Sequence, residues 1–583
     1  MVRGTRGVRR GAGIALAFGM TALVAVAVGA PAQGAEDDEL AEFYGQEPDW
    51  AECPEWEQPP PSEQPEDGII VDPWQGQWKL MECATVVVPL NYEEPGEGSL
   101  RLEVSRIKAK DEERRQGVLL FNPGGPGGGG LAMPLGSRDF EVAESFDLIG
   151  FDPRGVGRSS QLMCETVEER KPDTTRPTDE QFAEYTEYAQ AREEACERAG
   201  GGIRPHINTA NTARDMDVIR AALGEEKINY LGYSYGTYLG AVYGSLFPEG
   251  LNRSVLDSSI HPDWLWREQF LQQSVGVRSN VEAWAEWVGE RDSTFGLGAS
   301  EDEVLAATEA LAAELAETPV TIDRERPEDW PAYWPREFDR DALDSFLALG
   351  TQPRPVWDVV AEVVAEVRAA SAEDAPLSPD AGAAAANILT EQGIPRVESG
   401  VYDTVTCEAD WPGDLATYYD DMREYRDKYP YHDFNGSGVV GAAPTTCTFR
   451  SFDPPEPLVG LERDGYPTGL VIQADGDPAT QYAGGPAMAD ALDNQLISVR
   501  DSGTHGLYGL NECVTEKVND YLINGVLPPS RSECDSAPRP DVPADDAPLA
   551  EREAAGADQG DSLEDRARDA LADRSLWQTP ARS

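Results

Sequence analysis

Ser234 stands between Gly232 and Gly236 in LGYSYGTYLG, directly after the apolar run Lys227–Leu231. A serine at a sharp strand-to-helix turn has its hydroxyl pushed outward, and flanking glycines let the backbone fold around it without Cβ clashes. In a chain with 56 glycines the G-x-S-x-G pattern alone is weak, so the rest of the sequence has to supply the chemistry. Acyl transfer by a serine needs a base within hydrogen-bond reach, a carboxylate to orient that base, and N–H donors aimed at the developing oxyanion. The chain offers each part. His505 lies in SGTHG after the run QLISVR, whereas His206, His261 and His432 follow no buried strand at the corresponding place. Asp477 lies in ADGDP, 28 residues before His505, which leaves room for one helix and one strand between their loops. Asp475 is its rival but sits closer to the strand, where a turn-capping role is expected. The oxyanion donors expected are the N–H of Tyr235, next to the serine, and that of Gly124 or Gly125 in VLLFNPGGPGGGG at 118–130.

That glycine loop has a competing reading. Gly125, Gly127 and Gly130 fit G-x-G-x-x-G after a strand, and Asp152 follows 22 residues after Gly130, as a dinucleotide-binding unit requires. Asn122-Pro123 between strand and glycines, and Pro134 where the helix should start, speak against it. No cofactor and no metal is expected.

These residues need a scaffold that brings distant loops together. ATVVVPLNY, SLRLEVSRIKA, GVLLFNP, SFDLIGFD, TGLVIQADGD and QLISVRDSG read as strands, with helical patterns such as NTARDMDVIRAAL and TYLGAVYGSLF between them. Alternating strands and helices predict a mostly parallel sheet covered by helices. The chain order Ser, Asp, His, with acid and base on loops after late strands, predicts an α/β-hydrolase fold. Residues 81–260 and 447–534 are read as its two parts, and 261–446, rich in Ala and Glu at helical spacing, as an inserted helical cap that includes the Trp- and Pro-rich DRERPEDWPAYWPREFDR. Residues 33–80 read as an acidic, Pro-rich segment running extended, and 535–583 as an acidic disordered tail with a weak helical pattern near Leu563–Leu571.

Arg3, Arg6, Arg9 and Arg10, an apolar run over Ile14–Ala30 and Ala30-Pro31-Ala32 fit a signal peptide spanning 1–32, hence export and an extracellular, membrane-free mature protein. Eight cysteines (Cys53, Cys83, Cys164, Cys196, Cys407, Cys447, Cys513 and Cys534) without a C-x-x-C agree with disulfides in an oxidising compartment. They allow 105 connectivities, among which pairing in sequence order is the expectation. The formal charge of −58 excludes nucleic acid as a partner, since phosphates would be repelled. A monomer is expected.

Taken together, NPGGPGGGG, FDPRGVGRSS, ARDMDVIRAALGEEKINYLGYSYGTYLGAVYGSLFPE, VLDS and ADGDPAT…GTHG…CVTEKVNDYLINGVLP…C resemble the secreted bacterial tripeptidyl aminopeptidases, related to the prolyl aminopeptidase group of α/β-hydrolases. The resemblance runs from about Glu82 to Cys534 and is weakest in the helical insert. It implies that Ser234, Asp477 and His505 are the catalytic triad, that Cys513 and Cys534 form the closing disulfide, and that short peptides are released from a free N-terminus while the cap blocks longer access. Two departures stand out: Gly129 replaces the family's usual serine in the glycine loop, and Gln481 replaces a proline after the acid, where loop rigidity is at stake. An aminopeptidase must also bind an α-ammonium, and Glu408 and Asp410 in TVTCEADWP are the candidates, since a neighbouring disulfide and Trp411 could hold that loop against the site. The competing functions are a secreted esterase or lipase with the same triad and a non-catalytic extracellular binding protein.

Overall fold

Four runs that are buried along their whole length build the centre of the molecule: β4 (Val118–Asn122), β5 (Asp147–Phe151), β6 (Ile228–Tyr233) and β10 (Leu470–Ala474). Strands covered on both faces read as continuous apolar stretches, which is why these alternate so little. With β7 (Leu251–Asp257), β11 (Gln495–Arg500) and β12 (Arg531–Asp535) they form the parallel part of one ten-stranded sheet. β1 (Ala51–Glu52), β2 (Glu82–Pro89) and β3 (Ser99–Ile107) extend it antiparallel, giving the order β1-β2-β3-β5-β4-β6-β7-β10-β11-β12. Two further short strands among the described residues, β8 (Val320–Thr321) and β9 (Glu337–Phe338), pair with each other. This computed structural model describes residues 33–55, 72, 74–172, 174–322, 336–390, 399–432, 436–548 and 561–572. The signal segment 1–32 and most of the Trp- and Pro-rich stretch, 323–335, lie outside the described residues.

Among the longer helices, α1 (Gln33–Tyr44) leads the chain. α2 (Phe182–Gly200) and α3 (Thr209–Ala222) connect β5 to β6, α4 (Tyr235–Leu246) connects β6 to β7, and between β7 and β10 come α5 (Arg267–Gly289), α6 (Glu301–Glu317), α7 (Arg340–Gly350), α8 (Trp357–Glu373), α9 (Pro379–Thr390) and α10 (Leu415–Lys428). Trp284, Trp287 and Trp357 centre a second apolar core formed by α5–α9. α11 (Gly484–Ala491) and α12 (Glu512–Asn524) complete the crossovers to β11 and β12. Among the described residues no helix is long and apolar enough to cross a membrane.

The FDPRGVG turn explains itself as a staple. Arg154 is fully buried, forms a two-pronged ion pair with Asp215 of α3 (2.6 and 2.7 Å), and donates to the carbonyls of Pro89, Leu90 and His206. Asp152 uses one oxygen for the N–H of Leu131 and the other for that of Arg158, so it fastens the exit of the glycine loop to this turn. That engagement, rather than an open ribose-binding position, occupies the acid of the dinucleotide reading.

Four disulfides pair the cysteines in sequence order: Cys53–Cys83, Cys164–Cys196, Cys407–Cys447 and Cys513–Cys534. Closing loops of 21 to 40 residues removes roughly 3–4 kcal/mol of unfolded-chain freedom per bridge in the chain-entropy picture.

Both ends depart from expectation. Residues 33–44 are helical rather than extended, and Phe43, Tyr44 and Trp50 pack on the core, with Arg106 stacked 4.0 Å from the Trp50 ring centroid. In the tail, α13 (Leu563–Ala572) docks on the cap through buried Ala567 and Leu571 instead of being disordered. Its apolar stripe is short, and Arg566 adds ion pairs to Asp358 (2.6 Å) and Glu362 (2.9 Å) of α8, partners that composition alone does not reveal.

Candidate active site

Ser234 caps the start of α4 with φ 56° and ψ −124°, a left-handed conformation that a non-glycine residue adopts only when its surroundings impose it. The surroundings are tight. A Cβ on Gly232 would lie 2.5 Å from the Gly236 carbonyl oxygen, and one on Gly236 would lie 2.8 Å from Asn122 Oδ1, so both flanking positions admit only glycine. The Ser234 N–H donates to the Asp257 carbonyl (3.0 Å), and the N–H of Thr237 closes the first turn of α4 on the Ser234 carbonyl.

Asp477 and His505 meet two strands away. His505 Nδ1 lies 2.8 Å from Asp477 Oδ2 and 3.1 Å from Oδ1. The carboxylate is 1% exposed and also accepts from Ala479 N–H (2.9 Å), Thr480 N–H (3.0 Å) and the Thr480 hydroxyl (2.9 Å), whereas the His505 side chain keeps 33% exposure. A carboxylate saturated with donors is fixed in direction, and the half-open ring is left able to exchange protons. Asp475 holds a turn instead, because its two oxygens accept the N–H groups of Asp501 (2.7 Å) and Ser502 (2.8 Å) and so shape the loop that leads to His505.

The cap holds both loops. On α5, Gln269 and Gln273 donate to the Ala479 carbonyl (2.9 and 3.0 Å), Asn280 donates to the Gly476 carbonyl (2.8 Å), and Gly276 approaches so closely that a Cβ would lie 3.1 Å from Pro478 Cα. Gln481 supplies what the missing proline would have: its amide donates to the Pro478 carbonyl (2.7 Å) and accepts from Gln269 (3.0 Å). Behind His505, a Cβ on Gly503 would overlap the Gln352 carbonyl at 1.9 Å, and Arg354 ties Asn280 (3.0 Å) to Asp501 (3.2 Å).

The glycine loop faces the serine. A Cβ on Gly124 (φ 99°) would lie 2.6 Å from the Tyr233 carbonyl, 2.8 Å from Ser234 Cβ and 3.3 Å from the Tyr235 nitrogen, so only glycine permits this approach. The Gly124 N–H donates to Asn122 Oδ1 (3.0 Å), a partner the sequence did not announce, and the Gly128 N–H donates to the Gly124 carbonyl (3.1 Å). The glycine loop thus packs on the turn at Ser234 and Asp152 is engaged by backbone N–H groups, which is not the arrangement a dinucleotide-binding unit requires.

Glu408 and Asp410 are separated by the structure. Glu408 Oε2 accepts from Thr209 N–H (2.9 Å) and Oε1 from the Thr209 hydroxyl (2.8 Å), and that hydroxyl is 3.0 Å from the Tyr235 hydroxyl. Glu408 also borders a cavity of about 20 Å³, room for one water, beside Tyr238 and Phe452. Asp410 is exposed. Burial pushes the Glu408 carboxyl up to about 7. Because its folded value is raised, the stability contributed by the protonated form is complete below the ordinary carboxyl range and is lost as pH rises through about 7. Glu408→Gln is therefore expected to flatten this loss. Denaturant unfolding at pH 4 and pH 8 should show the variant gaining on the parent by roughly 1–3 kcal/mol at the higher pH. Parallel curves would remove the assignment.

A mostly parallel sheet of this order, carrying a serine elbow after β6, an acid after β10 and a histidine after β11, defines an α/β-hydrolase. Residues 117–355 match the family described as alpha/beta hydrolase fold, and residues 434–534 the one described as TAP-like protein. Over 480 residues, 79% of this chain and 85% of the relative, the sequence is 34% identical to the tripeptidyl aminopeptidase of Streptomyces lividans. The chain belongs to the tripeptidyl aminopeptidase family of α/β-hydrolases. It is also similar to serine protease Hip1 of Mycobacterium tuberculosis, 27% identical over 78% of this chain and 87% of that protein. Carboxylesterase B of the same organism is 30% identical over 78% of this chain and 86% of its own length.

Proposed function

We propose that the protein is a secreted serine exopeptidase that releases tripeptides from peptides with a free N-terminus. The observation that carries this reading is the Asp477–His505 pair fixed at the rim where Ser234 is presented. In the mechanism proposed, His505 takes the Ser234 Oγ proton as that oxygen attacks the substrate carbonyl, then passes it to the leaving amine. Water hydrolyses the acyl-enzyme by the same route. Asp477 holds Nδ1–H so that Nε2 faces the serine. With the Gly124 N–H committed to Asn122, the oxyanion falls to the N–H groups of Gly125 and Tyr235. Four disulfides and the N-terminal signal pattern support an extracellular setting.

Mass spectrometry of products from a mixture of free and N-acetylated peptides, with fluorophosphonate-treated protein as control, tests the proposal. Tripeptides from the free peptides alone are expected. Equal cleavage of blocked peptides, or internal cuts, would overturn it. The carboxylesterase relative favours one second reading, an esterase with the same residues, and comparing a peptidyl-arylamide with a short acyl ester separates the two.

For the substrate ammonium, Asp410 is the accessible carboxylate and Glu408 the one already engaged by Thr209. Replacing both by amides should raise KM for free-amine substrates at least tenfold more than for N-blocked esters. Equal changes for the two substrate types would dismiss both residues.

A further inference from the structure

Asp257 ends β7, the strand that lies between β6 and β10 in the sheet, and it is fully buried. Its backbone carbonyl receives the Ser234 N–H. Its carboxylate receives the N–H of Leu507 (3.2 Å to Oδ1, 3.0 Å to Oδ2) and of Tyr508 (2.7 Å to Oδ2). Ser258, held at φ 58°, donates its hydroxyl to Asp257 Oδ1 (3.1 Å) and accepts the Gly506 N–H (2.8 Å), while its own N–H is fixed by the Ile472 carbonyl of β10. The three N–H groups that follow His505 therefore all end on two consecutive residues, one of which also fixes the backbone of Ser234.

We infer that Asp257 is a positioning residue for the reaction, setting the distance between Ser234 and the His505 loop and placing a second carboxylate behind the imidazole. A turn can be capped by a neutral side chain, and a buried charge is costly, so a carboxylate here calls for a positive partner. That partner is the imidazolium that forms at His505 during proton transfer. Around Asp257 lie the Ser258 hydroxyl and the Tyr233 phenol, which feels the Asp257 charge, while the Tyr508 hydroxyl turns away to Asn519 and Asp477 holds Nδ1 of the same imidazole. Burial pushes the Asp257 carboxyl up to about 6, so it is ionised in the neutral range where the histidine works as a base.

The inference rests on the serine-hydrolase reading of the site but not on its substrate, so it is tested on whichever of a peptidyl-arylamide and a short acyl ester is turned over. Asp257→Asn is expected to lower kcat by about 10–100-fold with KM within about twofold, and to move the acid limb of kcat/KM to lower pH, because His505 loses a stabilising negative charge. A reduced melting temperature with kcat and the acid limb unchanged would mean a turn-holding role only and would overturn the inference. Ser258→Ala keeps the charge and removes the Gly506 acceptor. It should lower kcat at least threefold without moving the acid limb, and an unchanged kcat would overturn the inference even if Asp257→Asn does not fold. Loss of activity in Ser234→Ala is the separate check on the underlying site: if that variant stays active, the site reading fails first.

Discussion

Ser234→Ala is expected to lower kcat by roughly 10⁴–10⁶-fold and to abolish fluorophosphonate labelling, while melting temperature and circular dichroism stay at parental values. The backbone at 234 is held from outside the side chain, by the N–H bond to Asp257 and by the close approach of Gly124, so alanine inherits the same φ and the same neighbours. Only the oxygen is lost. What remains is the residual acceleration that oxyanion donors and substrate binding provide without a nucleophile. Labelling that persists in the variant would locate the reactive serine elsewhere and end the assignment.

Asp477→Asn should lower kcat by about 10⁴-fold, with KM little changed. Asparagine fills the same volume, but its amide cannot accept from His505 Nδ1–H and from the Ala479, Thr480 N–H and Thr480 hydroxyl donors together; one of these contacts becomes donor against donor. The imidazole then prefers the tautomer that points a proton, rather than a lone pair, at the serine. Asp475→Asn is the internal comparison. It should cost less than about tenfold, because the hydrogen bonds of that side chain go to the backbone N–H groups of Asp501 and Ser502 and not to His505. If the two variants were equally impaired, the choice of Asp477 as the orienting acid would be wrong.

How much of this could be read from the chain depends on the range of the interactions. Ser234, Asp477, His505 and the glycine loop can be picked out locally, because each follows a strand and has glycine or a polar turn beside it, and the structure keeps those placements. The parallel sheet was legible for the same reason, as VLLFN, DLIGF and LVIQA are apolar throughout. Asp257 was passed over as a strand end in VLDS because its partners at 507 and 508 lie 250 and 251 residues away. Gln269, Gln273 and Asn280 read as ordinary polar positions of a helix, since their acceptors lie about 200 residues further on. Glu408 was singled out for the substrate, yet a carboxylate that meets the start of α3 from 199 residues away serves that helix first. The same limit hid the docking of α13, though not its helical pattern, because that docking depends on Asp358 and Glu362.

Since α5 grips the acid loop and the segment 351–354 lies against the histidine loop, the insert behaves as a brace and not as a hinged door. Swinging it away would drag Asp477 and His505 out of register. Under the proposed reaction, substrate would then have to reach Ser234 with the insert left in place.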